Sequence, residues 1–227
     1  MSENELKAGT EPPLMQREEA YFSLERLIVT GELAPGTWVS ETDLMKASGH
    51  SRASVRSAVQ RLQDQGLIHT VPRRGAQICP IDITLQFRAQ ELRREVEGLL
   101  ARCAAARATD EQRAQFLDIS RKFEGHAESR DAIAMMDLDI EHHSLLGIAA
   151  DNSFAMKAMQ SVKGVSRRFW LLHYKKHGDI QAMATAHARV AGAIADANPE
   201  DAERAVEHLV DYVEKFTLKV VGFEGGK

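Results

Sequence analysis

Apolar positions along this chain change their rhythm once, near Pro80. Before it, short helix-periodic stretches alternate with extended pieces. After it, the spacing is three and four almost without interruption, the mark of helices burying one face. In the first part, residues 15–30 predict a helix whose buried side is Phe22, Leu24, Leu27 and Ile28, ending at Gly31. Pro35-Gly36 then supplies a turn, because Pro presets φ and Gly tolerates a positive one. Trp38-Val39 reads as a short extended piece able to pair with a later hairpin, and Ser40 is placed to cap a helix beginning at Glu41. That helix runs to Ser48 and breaks at Gly49. The next, over 51–62, sets Val55, Ala58, Val59 and Leu62 on one side and sends Arg52 and Arg56 elsewhere, with Arg61 less cleanly placed. Two β-like runs, 66–70 and 75–78, enclose Val71-Pro72-Arg73-Arg74.

Two helices joined by a Gly-containing turn and followed by a basic hairpin predict a winged helix-turn-helix over 15–80. Small residues between the arginines keep one helix face slim enough for a DNA major groove, where Ser hydroxyls reach phosphates and Arg forks reach guanine edges. The residues expected to meet DNA are Ser51, Arg52, Ser54 and Arg56 of the helix and Arg73, Arg74 and Gly75 of the wing. An ordinary amphipathic helix with solvated arginines would look the same in isolation; the turn before it and the hairpin after it argue for DNA.

Beyond Pro80, helices are expected over 82–108, 110–128, 131–150, 153–176, 178–198 and 199–221. Short connections between long helices predict an antiparallel all-helical bundle over 81–227. The fold class expected is mainly α. Residues 1–14, polar and containing Pro12-Pro13, read as a mobile arm.

Composition sharpens the picture only in places. A length of 227 residues allows two domains, and a hydrophobic fraction of 44% is that of an ordinary folded protein. No run of eighteen apolar residues predicts a membrane span, and the N-terminus lacks the apolar core of a secretory signal. Cys79 and Cys103 make no metal-spaced pair, so reduced thiols in a cytoplasm are expected. The net charge of −4 argues against a protein that coats nucleic acid indiscriminately. Yet between His50 and Gly75 stand Arg52, Arg56, Arg61, Arg73 and Arg74 against Asp64 alone, the asymmetry of a DNA-reading module on an acidic body.

These motifs carry a family resemblance. Gly31-Glu32-Leu33-Ala34-Pro35-Gly36, Ser40-Glu41-Thr42-Asp43-Leu44, the run from Ser51 to Val59, Gly66-Leu67-Ile68 and Arg73-Arg74-Gly75 together resemble the winged helix-turn-helix of the GntR family of bacterial transcription regulators. Ser54 stands where Pro is common, Ser57 where Glu is common, and Thr42 where some members place a DNA-contacting Arg; these departures bear on the operator sequence. The second part resembles the FadR-type all-helical effector domain called FCD, through Glu91-Leu92-Arg93 with Glu97, Asp139-Ile140-Glu141-His142-His143 with Asn152, His187 with Ala193-Ile194, and His208-Leu209. His142 occupies a position usually held by Phe, and the His187 to His208 spacing is one residue short of the family's.

The resemblance implies a metal site and a carboxylate effector. Asp139 and His143, four apart, share a helix face. With His187 and His208 they make three imidazoles and one carboxylate, a set suited to zinc, nickel or manganese with an open position for a small organic acid. His142 competes for the same site at i,i+3, and a one-residue shift at His208 rotates its side chain by about 100° on an ideal helix. Arg93 reads equally as a second anchor for the acid or as an i,i+4 partner of Glu97 on the surface. Arg167-Arg168 before Phe169-Trp170 fits a pocket lining or a subunit contact.

The function implied is a homodimeric repressor on an imperfectly palindromic double-stranded DNA operator, released by the acid. A regulator sensing the metal itself is the alternative. A metal-dependent hydrolase is disfavoured, because no general base, nucleophile motif or phosphate loop stands at a telling spacing.

Overall fold

The computed structural model describes residues 14–129 and 131–222. The arm expected over 1–14 lies outside them, except Leu14, which opens the first helix. The chain divides into two compact units, residues 1–80 and 81–227.

In the first unit, α1 (Leu14–Val29), α2 (Glu41–Ser48) and α3 (Arg52–Asp64) pack beside a sheet of β1 (Trp38–Val39), β2 (Ile68–Val71) and β3 (Gly75–Ile78). The strands lie in the order β1-β3-β2, all antiparallel, with Trp38 opposite Gln77 and Thr70 opposite Ala76. Local chemistry sets the boundaries. Ser40 and Asp43 close a reciprocal capping box at the start of α2, and Gly49 ends it in the left-handed conformation at φ 74°. Gly75 has φ 96°, and a Cβ there would come within 2.8 Å of the Val39 carbonyl oxygen, so the wing hairpin can cross β1 only at a glycine.

Leu24, Ile28, Leu44, Val55, Leu62 and Ile78 form this unit's core. One expectation fails in α1: Phe22 is 47% exposed while Tyr21 is buried. The row Tyr21, Leu24, Ile28 follows the helical repeat of three and four; Phe22 lies off that row, and its size was the wrong guide.

The second unit is a bundle of α4 (Ile83–Arg107), α5 (Asp110–Ser129), α6 (Ala132–Ala150), α7 (Ser153–His177), α8 (Ile180–Ala195) and α9 (Pro199–Val220). Asp82, Asp131, Asn152, Asp179 and Asn198 cap five of these helices, each accepting a backbone N–H from the first turn. Asn152 is thereby a helix cap. Helix α4 is the central strut, touching α6, α7, α8 and α9, while α5 packs chiefly on α8. No described helix is long and apolar enough to cross a membrane.

Candidate nucleic-acid face and candidate ligand pocket

The first unit presents its arginines as the helical period requires. Val55, Ala58 and Leu62 are buried, which leaves Arg52 and Arg56 on the outer face of α3. Both are tethered. Glu41 at the start of α2 takes Arg52 Nε at 3.0 Å on one carboxylate oxygen and Arg56 Nε at 2.6 Å on the other. The arginines stay largely exposed, at 64% and 68% of their side-chain surface. Arg73, Arg74 and Gly75 are exposed at the hairpin tip, Arg73 in the left-handed region at φ 67°.

Two basic or polar residues leave the face. Ser54 is buried, its Oγ 3.0 Å from that of Ser51, so its expected contact with DNA is corrected: the pair closes the N-terminus of α3. Ser51, as the cap itself, stays exposed. Arg61 lies against α1, bonded to Glu18 at 2.8 Å with its guanidinium 3.7 Å above the Tyr21 ring.

The second unit holds a pocket among α4, α6, α7 and α8, with Val213 of α9 at its edge. Asp139 of α6 is its hub. One oxygen lies 2.9 Å from His143 Nδ1 and 3.1 Å from His187 Nε2. The other accepts Nε and an amino N–H of Arg167 at 3.1 and 2.8 Å. A second ion pair stands beside this one. Arg93 donates to Glu97 at 2.9 Å and to Ser166 Oγ at 2.9 Å, and the other oxygen of Glu97 lies 3.1 Å from His143 Nε2. Lys163 lines the same cavity, half-buried and without a hydrogen-bond or ion-pair partner among the described residues. Met135, Met136, Met183, Trp170 and Val213 supply an apolar wall.

The charges adjust accordingly. Burial would raise the carboxyls of Asp139 and Glu97. The His143 and Arg167 charges outweigh it at Asp139, and the Arg93 charge and His143 at Glu97, so both stay ionised far below the usual range. Burial would depress His143, but Asp139 and Glu97 raise it. Burial pushes the Lys163 ammonium down to about 7, opposed by Asp139 and assisted by Arg167.

The bacterial regulatory proteins, gntR family, match residues 16–78, and the FCD domain matches residues 89–212, more than half of the chain. The chain belongs to the GntR family. Its second unit is an FCD effector-binding domain, and the protein is a transcription regulator and not an enzyme. It is 26% identical to the HTH-type transcriptional repressor RspR of Escherichia coli, over 87% of each chain. It is likewise 26% identical to the uncharacterised HTH-type regulator YdfH of another Escherichia coli strain, over 92% of each chain. Its fold is similar to that of E. coli McbR/YncC, at 12% identity and TM-score 0.77 over 91% of this chain and 98% of that one. A GntR regulator structure from Rhodococcus gives 22% identity and TM-score 0.62, over 92% of this chain and 98% of that one.

The structure of this GntR-family chain gathers some of the expected metal ligands and not others. Asp139, His143 and His187 converge. His208 does not: it is exposed on α9 with its Nδ1 on the Arg204 carbonyl at 2.7 Å, while Leu209 takes the inward position, so the one-residue shortening is not absorbed. His142 is no substitute. It is fully buried between Phe116 and Phe123, and neither ring nitrogen has a hydrogen-bond partner.

The remaining donors do not fit a divalent ion as they stand. Both ring nitrogens of His143 face oxygens, its Nδ1 lying 2.8 Å from the Asp139 carbonyl and its Nε2 3.1 Å from Glu97, so neither opens onto the cavity unengaged. A guanidinium occupies the far oxygen of Asp139. Among the described residues, no group of three or more His, Cys, Asp or Glu side chains is arranged to hold a metal.

Arg93 is the i,i+4 partner of Glu97, placed in the pocket wall and not on the surface. Lys163 and Ser166 were missed at the level of sequence. The signal was there in the spacing Lys163, Ser166, Arg167, Trp170, a row at three and four along α7.

Proposed function

We propose that this regulator is a repressor released from a double-stranded DNA operator when a small organic acid enters the pocket among α4, α6, α7 and α8. The observation that carries the reading is Lys163, a wall cation with no hydrogen bond or close ion pair among the described residues, whereas Arg93, Arg167 and His143 lie directly against Glu97 or Asp139. An anion is what such a wall lacks. The cavity is about 50 Å³, room for roughly four waters at about 10–15 Å³ each, which favours a short acid. The methionines and Trp170 would cover its carbon skeleton.

Repression as the sign is supported by the name of the relative RspR. A ligand can change DNA affinity only by favouring one arrangement of the protein over another. A homodimer on an imperfect palindrome completes the reading, since one recognition helix spans only a few base pairs and two-fold symmetry doubles the site.

The test is fluorescence anisotropy of the chain's own promoter fragment, titrated with a panel of short organic acids, with light scattering on the same samples. An acid that raises the dissociation constant, acting on a dimer, is the expected result. A panel that leaves DNA affinity unchanged, or a protein that stays monomeric on DNA, sinks the reading.

A further inference from the structure

Resting on the reading that the pocket takes a carboxylate, we propose that the Arg167 guanidinium stands where a metal-dependent member of this fold would hold its ion. This regulator then receives the acid on Lys163, with no metal taking part.

The argument begins with Asp139. Its two oxygens already face four nitrogens, two of Arg167 at 3.1 and 2.8 Å and one each of His143 and His187 at 2.9 and 3.1 Å. A metal there would have to displace a bidentate guanidinium and pull His143 from its contact with Glu97. Each is unfavourable in a buried site, and the displaced charge would remain beside the ion. His187 is engaged too, its Nδ1 3.0 Å from the Met183 carbonyl and its Nε2 3.1 Å from Asp139.

The substitution has a consequence for ligand binding. A divalent ion neutralises a carboxylate ligand and still leaves an open coordination position; a guanidinium spent on Asp139 does neither. Some other cation must meet the ligand. Arg93 is committed to Glu97 and Ser166. Lys163, one helical turn before Arg167 on α7, lines the cavity with no hydrogen bond or close ion pair among the described residues, though the charges of Asp139 and Glu97 reach it. It is the cation at hand, a point charge with three donors. The ligand class follows as a small carboxylate with a short carbon body, bound without coordination chemistry.

The experiment uses the full chain purified without metal-affinity steps. Metal content is measured by mass spectrometry, and melting temperature is followed with EDTA, with added Zn²⁺, Ni²⁺ or Mn²⁺, and with acetate or succinate as probes, succinamide serving as the uncharged control. We expect metal far below one per chain, no melting shift from chelator or metal, and a succinate- or acetate-dependent rise that is the same with and without EDTA. Lys163→Met should lose that rise while melting like wild type in buffer. Arg167→Gln, which frees the second oxygen of Asp139, should gain a Zn²⁺-dependent rise that wild type lacks.

Stoichiometric metal, or an acid response that appears only after metal is added, overturns the inference and leaves the acid-effector reading in place. A metal-free protein deaf to both acids counts against the effector reading, and against Lys163 as the anchor. Should Arg167→Gln fail to fold, the metal and chelator measurements on wild-type protein decide the matter alone.

Discussion

Glu41 Oε2 stands 2.6 Å from Arg56 Nε across the two helices of the helix-turn-helix, and its other oxygen holds Arg52 at 3.0 Å. Each guanidinium is thus held by its inner nitrogen, which leaves the outer two free to approach a guanine edge as a fork. Glu41 fixes where both arginines sit on the outer face of α3. Arg52→Ala or Arg56→Ala should cost about 1–3 kcal/mol at the operator if that arginine reads a base, with the steep salt dependence that phosphate contacts impose.

Glu41→Gln should behave differently from either. It removes negative charge near DNA, so affinity for a scrambled duplex should rise, while the loosened arginines discriminate less. The expected outcome is a smaller ratio of operator to scrambled affinity in paired anisotropy titrations. A ratio equal to wild type would show that the tether has no part in recognition.

His142 carries a cost that the sequence flagged without explaining. A neutral imidazole whose two nitrogens have no hydrogen-bond partner sits buried between Phe116 and Phe123, where burial and the charges of His143 and His187 hold its pKa well below 6.5. An unsatisfied buried polar group costs about 1–3 kcal/mol. His142→Phe should therefore raise stability by about that amount in urea melts at pH 7.

The pH dependence has a definite sign. The unfolded chain takes up a proton on His142 below about pH 6.5 and the folded chain does not. Its presence therefore lowers stability progressively as pH falls through that value. His143 acts oppositely, its raised pKa contributing stability below about 6.5 that is lost as pH rises through the folded value. The difference between wild type and His142→Phe isolates His142, and that difference should grow from pH 7.5 to pH 5. A constant difference would mean that the ring finds a partner.

Lys163 makes acid binding pH-dependent near neutrality. With its ammonium pushed down to about 7 by burial, the anchor loses its charge as pH rises from 6 to 8.5. An anionic ligand should then stabilise the protein more at the lower pH. Lys163→Arg, whose guanidinium stays charged throughout, should keep the response at both. The measurement is the acid-induced melting shift at the two pH values. A wild-type shift independent of pH removes Lys163 from the binding step.

Much of this molecule was legible in its sequence because the signals are local. A break at Gly49, a cap at Ser40, alternation in the wing and the three-and-four spacing of Val55, Ala58 and Leu62 each report on a few neighbouring residues, and the motifs from Gly31 to Gly75 tie them to a family. Spacing along one helix also placed Asp139 and His143 on a common face. What it could not place is any side chain whose partner lies on another helix. Whether His208 points inward depends on how far α9 has rotated by its second turn, and the structure puts Leu209 there instead. Whether Arg93 meets solvent or a pocket depends on which side of α4 the other helices cover. Above all, that Arg167 rests on Asp139, 28 positions earlier in the chain, is a fact of packing between α6 and α7. Local backbone preference decides where a helix starts and stops; only the burial of one helix against another decides which charges must neutralise each other, and that choice is what set Arg167 against Asp139 and Arg93 against Glu97.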